Sequence, residues 1–178
     1  MPSLTKLVLA LAVLTTTTTL AAPASLTTTT TTTTPHQPRL SKRLEYQPSS
    51  GAEDDYCGEA NPQYTYGPSA PLASDCKAMY EAHPGPGYWL ISASETDNNN
   101  WARLAASGSC AFEVRLGSDN RGGKVDFRFG TNDVRFYTRS HAGASQARDG
   151  RVSVESPVWC SRKPADGMVA VDWRVAHS

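Results

Sequence analysis

Acid–base or nucleophilic catalysis needs histidines, carboxylates or activated nucleophiles that converge on one reacting atom, and this chain offers few. Downstream of the first 43 residues its histidines are His83, His141 and His177. His83 falls at the end of an apolar-periodic stretch, where interaction with a helix dipole accounts for it. His177 is the penultimate residue. His141, in Ser140-His-Ala-Gly-Ala-Ser145, sits in a glycine-containing loop after a helical stretch. Asp54-Asp55 reads as a solvated charge pair. The G-x-S-x-G, H-E-x-x-H, P-loop and EF-hand patterns do not occur in the sequence. Four cysteines (Cys57, Cys76, Cys110 and Cys160) are widely spaced with no C-x-x-C, which argues against zinc. No catalytic set, metal site or cofactor is therefore expected, and the protein is read as not an enzyme.

The composition narrows the partners. All seventeen acidic residues follow Arg43, against thirteen of the seventeen basic ones, so the part after Arg43 carries a net charge of −4. A body of that sign argues against general affinity for nucleic acid or anionic lipid. The start of the chain reads as processing sequence. Lys6, the apolar run 7–14 and the small residues at 20–24 describe a signal peptide over 1–24, cut between Ala21 and Ser25. Thr27 to Thr34 form an unbroken tract with no apolar face to bury, followed by Pro35 and Pro38. Residues 25–43 are thus expected to be a disordered pro-segment ending in the dibasic pair Lys42-Arg43, with cleavage after Arg43. Residues 44–178 form the single domain.

Periodicity gives the elements of that domain. Residues 44–70 read as an extended lead-in tethered by Cys57. Ser69 is placed to cap a helix with Pro71 in its first turn and Leu72, Cys76, Met79, Tyr80 and His83 on one stripe. Period-two alternation then marks strands at 88–91, 109–116, 124–129, 150–158 and 168–175. Along 109–116, Glu113 and its neighbours Ala111 and Arg115 form the wet face. Asn99 to Ser107, with Trp101 and Leu104 three apart, reads as a second helix. Thr131 to His141 reads as a third, with a Thr cap and Asp133 in its first turn. The expected fold is α+β: one small domain stapled by disulfides, an antiparallel sheet of about five strands, and two or three helices packed mainly on one face.

An even cysteine count in a small secreted domain implies two disulfides, each stabilising by ~3 to 4 kcal/mol at these loop lengths. Three pairings are open. The helix bearing Cys76 must lay its stripe on the inner sheet face, where Cys110 points, so Cys76–Cys110 with Cys57–Cys160 is preferred.

Two resemblances bear on function. The stretch His141-Ala-Gly-Ala-Ser145 is similar to the histidine loop of the small guanyl-specific ribonucleases of moulds. That family also implies a Tyr-x-His element, which this chain lacks, and a glutamate base on a strand. Glu113 would have to serve as that base, with Arg128 or Arg115 on phosphate.

The longer match spans residues 57 to 175. It runs through Cys57-Gly58, Ser69 to Cys76, Gly87-Tyr-Trp89, Trp101-x-x-Leu104 and Gly108 to Val114, then Phe129 to Val134, Asp149 to Val152, Cys160 and Val171-Asp-Trp173. In these motifs the chain resembles the fungal necrosis-inducing factor domain family, homologues of a secreted cysteine-rich extracellular effector. The threonine tract and the long loop from Arg139 to Arg148 depart from the family's pattern. The resemblance implies a secreted virulence factor, and it carries no catalytic residues to transfer.

The resulting expectation is a secreted, extracellular, monomeric effector that binds a plant extracellular or cell-surface protein, without nucleic acid and without stable membrane insertion. Tyr64, Tyr66, Trp101 and Arg139 are the candidate contact residues, since aromatic side chains and arginine anchor interfaces. The alternatives are a guanyl-ribonuclease-like hydrolase using His141 and a killer-toxin-like antimicrobial protein.

Overall fold

A computed structural model describes residues 44–50, 54–82, 85–96, 100–119, 125–162 and 167–178. All lie in the unit Arg39–Ser178. The expected signal peptide, threonine tract and Lys42-Arg43 site, and also His83, fall outside the described residues. In chain order the elements are β1 (Glu45–Pro48), β2 (Gln63–Thr65), α1 (Ala73–Glu81), β3 (Gly87–Ile91), β4 (Ala102–Ser107), β5 (Cys110–Leu116), β6 (Phe127–Gly130), α2 (Thr131–His141), β7 (Ser153–Ser161) and β8 (Met168–His177).

The strands form two antiparallel sheets rather than one sheet of about five strands. One has the order β1-β3-β6 and the other β2-β7-β8-β5-β4. The lead-in is not merely extended, because it supplies an edge strand to each sheet. The helix expected over Asn99–Ser107 is strand β4, so the described residues hold two helices. Leu104 is an extra residue where the pairing with β5 shifts between Arg103 and Ala105. The bulge places Leu104 and Ala105 in succession, which hides the alternation of two, while pairing with β5 overrides the helix propensity of Ala, Leu and Arg.

The larger sheet turns Val114, Val154, Val158, Val171, Trp173 and Val175 inward, all buried. Trp173 stacks between Phe112 and Tyr137 at centroid distances of 5.7 and 4.8 Å. Phe129 of the smaller sheet packs on Phe112 at 5.6 Å. Tyr137 and Val134 bring α2 into this aromatic core, and Cys76 and Met79 bring in α1.

Two clasps hold the helices. At α1, Cys76 is bonded to Cys110. Beside that bond the Asp75 carboxylate accepts the Ser109 N–H (2.8 Å) and its hydroxyl (2.7 Å). Ser109 Oγ in turn accepts the Leu72 N–H at 2.9 Å. Leu72 is therefore the N-cap, not Ser69. The helix starts later because Pro71 and Leu72 are held extended against Arg151 and Val152. Gly108 has φ +53°, and a Cβ there would lie 2.6 Å from the Asp75 carboxyl, so only glycine makes this turn.

At α2, Cys57 is bonded to Cys160. The Asp133 carboxylate accepts N–H groups from Tyr56 (2.9 Å), Cys57 (3.2 Å) and Gly130 (3.0 Å). Gly130 is the N-cap, and Thr131, expected to cap, instead accepts the Gly87 N–H at 3.2 Å. Asp55 is exposed and Asp54 half-buried, but the pair is tied to α2: the Asp54 carbonyl accepts the Asn132 N–H at 2.8 Å, and Asp55 acts electrostatically on Asp133.

The two clasp carboxylates titrate in opposite directions. Hydrogen bonds from Ser109 hold Asp75 below the usual carboxylate range. Burial, reinforced by Asp55, pushes Asp133 up to about 8 against the pull of its N–H donors. A raised folded pKa stabilises at low pH, where both folded and unfolded chains hold the proton. That stability is lost as the pH rises from about 4 through about 8.

Two outcomes follow. The urea midpoint falls between about pH 4.5 and pH 8.5, and Asp133→Asn flattens that slope. A Cβ at Gly130 would lie 1.9 Å from the Asp54 carbonyl oxygen. Gly130→Ala should therefore cost about 3 kcal/mol or more by chemical denaturation.

Candidate functional site

The face of the five-stranded sheet turned away from the aromatic core is polar, and one row of directly opposed residues crosses all five strands. It runs Gln63, Glu155, Arg174, Glu113, Arg103. The alternation + and − is what cross-strand pairing favours. Glu113, on central strand β5, is 6% exposed, so the expected wet face is closed over at that point. Both of its oxygens are used. Oε1 accepts Arg103 Nε at 3.1 Å and faces Nη2 at 3.0 Å. Oε2 accepts Arg174 Nε at 2.8 Å and Nη2 at 2.6 Å. Each guanidinium thus brings two nitrogens to a single carboxylate oxygen, and the two charge-assisted contacts divide Glu113 between Arg103 and Arg174.

The next row adds Arg115, whose Nε donates to Asp172 at 3.0 Å and whose Nη2 donates to Glu155 at 3.4 Å. Trp101, half-buried, lies on the same face one step before β4. Arg115 and Arg174 place their guanidinium groups 4.3 and 4.1 Å from its ring centroid. Cation–π contact and ion pairing therefore lock an indole, three arginines and three carboxylates into one plate. The plate is rigid and charge-balanced. It offers an aromatic edge and partly exposed guanidinium groups.

Of the four sequence candidates, only Trp101 lies on this face. Tyr64 turns inward, where its hydroxyl pairs with His141 Nδ1 at 3.1 Å. Tyr66 stacks on Tyr64 at 6.4 Å, and Arg148 lies over the Tyr66 ring at 4.1 Å. Arg139 is exposed in the last turn of α2, lining a groove with Lys77 and Tyr80.

The ribonuclease-like set is not assembled. His141 packs at 5.8 Å from Trp173 on the inner side of the sheet, and burial lowers its pKa. Glu113 faces the other side and is occupied by two arginines. Arg128 lies over Tyr88 on the smaller sheet, at 4.4 Å. His177 is exposed beside the C-terminus.

The Glu113 network escaped the sequence reading because it depends on register. Arg103, Glu113 and Arg174 are polar positions in separate segments, and only β4–β5–β8 pairing makes them neighbours. The signal that was present is a glutamate in mid-strand between Phe112 and Val114, both fully buried.

Residues 56–160 match the model of the Hce2 family, described as "pathogen effector; putative necrosis-inducing factor". No curated protein matches the chain significantly.

Removing the Glu113 carboxylate leaves two partly solvated guanidinium groups without their shared acceptor. Glu113→Ala should lower stability by about 1–3 kcal/mol, discounted from a fully buried pair because both arginines reach water. A thermal melt of variant against wild type reads this directly.

Proposed function

The chain belongs to the Hce2 family of pathogen effectors, and from that premise we propose that it is a secreted effector that acts by binding a plant extracellular or cell-surface protein. The contact surface is the outer face of the five-stranded sheet, centred on Trp101, and the action is binding rather than turnover. The family supports the effector role. Two disulfides fit a protein that works outside the cell. The observation that carries the choice of surface is the plate itself, in which Arg115 and Arg174 hold the Trp101 indole in place. Tryptophan and arginine dominate binding energies where they are held rigid and flanked by groups that exclude water.

The test is infiltration of plant leaves with purified oxidised protein, a reduced and alkylated control, and the Trp101→Ala variant. Necrosis from the oxidised wild type alone, with roughly tenfold or greater loss in Trp101→Ala at unchanged near-ultraviolet circular dichroism, supports the reading. Equal necrosis from wild type and a folded Trp101→Ala would sink the choice of surface. Equal necrosis from the alkylated control would sink the requirement for a folded effector.

A further inference from the structure

The outer face carries a second feature beside the Trp101 plate, with which it shares Glu155 and Asp172. A groove with a cavity volume of about 400 Å³ runs beside it, lined by residues that include Gln63, Thr65, Ser118, Asp119, Glu155 and Asp172. Its volume is within the range of small-molecule sites. Ala170 and Gly117 form a low floor. The Gly117 N–H donates to the Ala170 carbonyl at 2.9 Å, and a Cβ on Gly117 would lie 3.1 Å from Ala170.

Trp159 lies beside this groove rather than in its lining, on the strand next to Ala170, which does line it. It is directly opposite Ala170 in the β7–β8 pairing, on the same face as Glu155 and Pro157, and is 52% exposed. Same-face neighbours on a strand lie about 7 Å apart, so the indole is one such step beyond Pro157. A tryptophan this exposed is not explained by core packing.

We propose that this groove binds a short stretch of neutral polysaccharide, with Trp159 as the stacking platform for a pyranose ring. Three features select that ligand chemistry. The indole offers a flat apolar surface to the axial C–H groups of a sugar. The side chains of Gln63, Thr65 and Ser118 hold amide and hydroxyl groups that no described residue engages, and these match the paired donor and acceptor character of sugar hydroxyls. Asp172 and Glu155 are fixed by Arg115 as oriented acceptors, at 3.0 and 3.4 Å.

The same groups disfavour other occupants. Three carboxylates repel a uronate, sulfate or phosphate ester. Arg115 already satisfies two of them, which weakens their pull on a free cation. A peptide continuing the line of β2 along β7 would meet Pro157, which has no N–H to give, and then Tyr56 and Gly58, already hydrogen-bonded to Ser161 and Trp159.

The experiment titrates the full-length secreted protein with cellohexaose, chitohexaose, mannohexaose and xylohexaose, with oligogalacturonate as the anionic counterpart, by calorimetry and tryptophan fluorescence. At least one neutral hexasaccharide is expected to bind. Trp159→Ala should weaken it by roughly tenfold or more, and Gln63→Ala should weaken it less. Trp101 does not line the groove, so loss of sugar binding in Trp159→Ala and loss of necrosis in Trp101→Ala are read separately. Both groove variants alter exposed side chains, and circular dichroism checks their folding. The proposal is overturned if no neutral hexasaccharide binds, if folded Trp159→Ala and Gln63→Ala both bind as tightly as wild type, or if oligogalacturonate binds best.

Discussion

A buried or shielded carboxylate accepting backbone N–H groups next to a disulfide is the interaction on which this structure depends, and it occurs twice. Asp75 takes the N–H and hydroxyl of Ser109 beside Cys76–Cys110. Asp133 takes the N–H groups of Tyr56 and Cys57 beside Cys57–Cys160. Each carboxylate also stands in the first turn of its helix, where the dipole favours the ionised form, an effect that burial outweighs at Asp133. One group thus stands in the first turn of a helix and satisfies backbone donors of a distant segment beside the bonded cysteines. The glycines of the same motifs are there for clearance: a Cβ at Gly108 would strike the Asp75 carboxyl, and one at Gly130 the Asp54 carbonyl. The close spacing of Asp and Cys in Asp75-Cys76, and of Gly and Asp in Gly130 to Asp133, follows from this geometry without any catalytic demand.

With both helices clasped, the inner face of the large sheet is committed to the Phe112–Trp173–Tyr137 stack. That commitment is what exposes the other face. A central strand that is apolar on one side must be solvated or paired on the other, and here pairing wins at Glu113. Two arginines from flanking strands close over it, and their stems and the Trp101 ring cover the middle of the sheet. The order of Arg103, Glu113, Arg174 and Glu155 across four strands makes register errors costly, because a one-residue slip would turn every charge toward the valine face. The plate that we assign to binding therefore also specifies the fold, and its rigidity comes from that double duty.

Much of this was legible from periodicity. Strand β5 lies where the alternation places it and helix α2 where first-turn Asp133 places it, and Cys76 and Cys110 both fall on apolar faces. The failures have local causes. At β4 a bulge puts Leu104 and Ala105 in succession, so a strand carries a helical spacing. β1 and β2 are short edge strands of four and three residues, too brief for alternation to declare itself. Ser69 looked like a cap because Pro71 follows it, but the pairing of Leu72 with Arg151 delays the helix. The candidate site was least legible. Trp101 stood out by type, whereas Glu113 and its arginines acquire meaning only when three strands separated in sequence lie side by side. Tyr64 and Tyr66 were read as exposed aromatics although their β2 pairing with Val154 turns Tyr64 toward the core.

The central claim is that the outer face of the large sheet, and not the helical side, meets the host partner. Site-specific photocrosslinking addresses it most directly. A benzophenone side chain would be placed at Ala176, on the outer face of β8 beside the Arg174 row, or at Arg135, exposed on α2. Each labelled protein would be irradiated on intact plant cells. The account predicts a discrete protein adduct from position 176 that excess unlabelled protein suppresses, and none from position 135. A competed adduct from position 135 with none from 176 would contradict it.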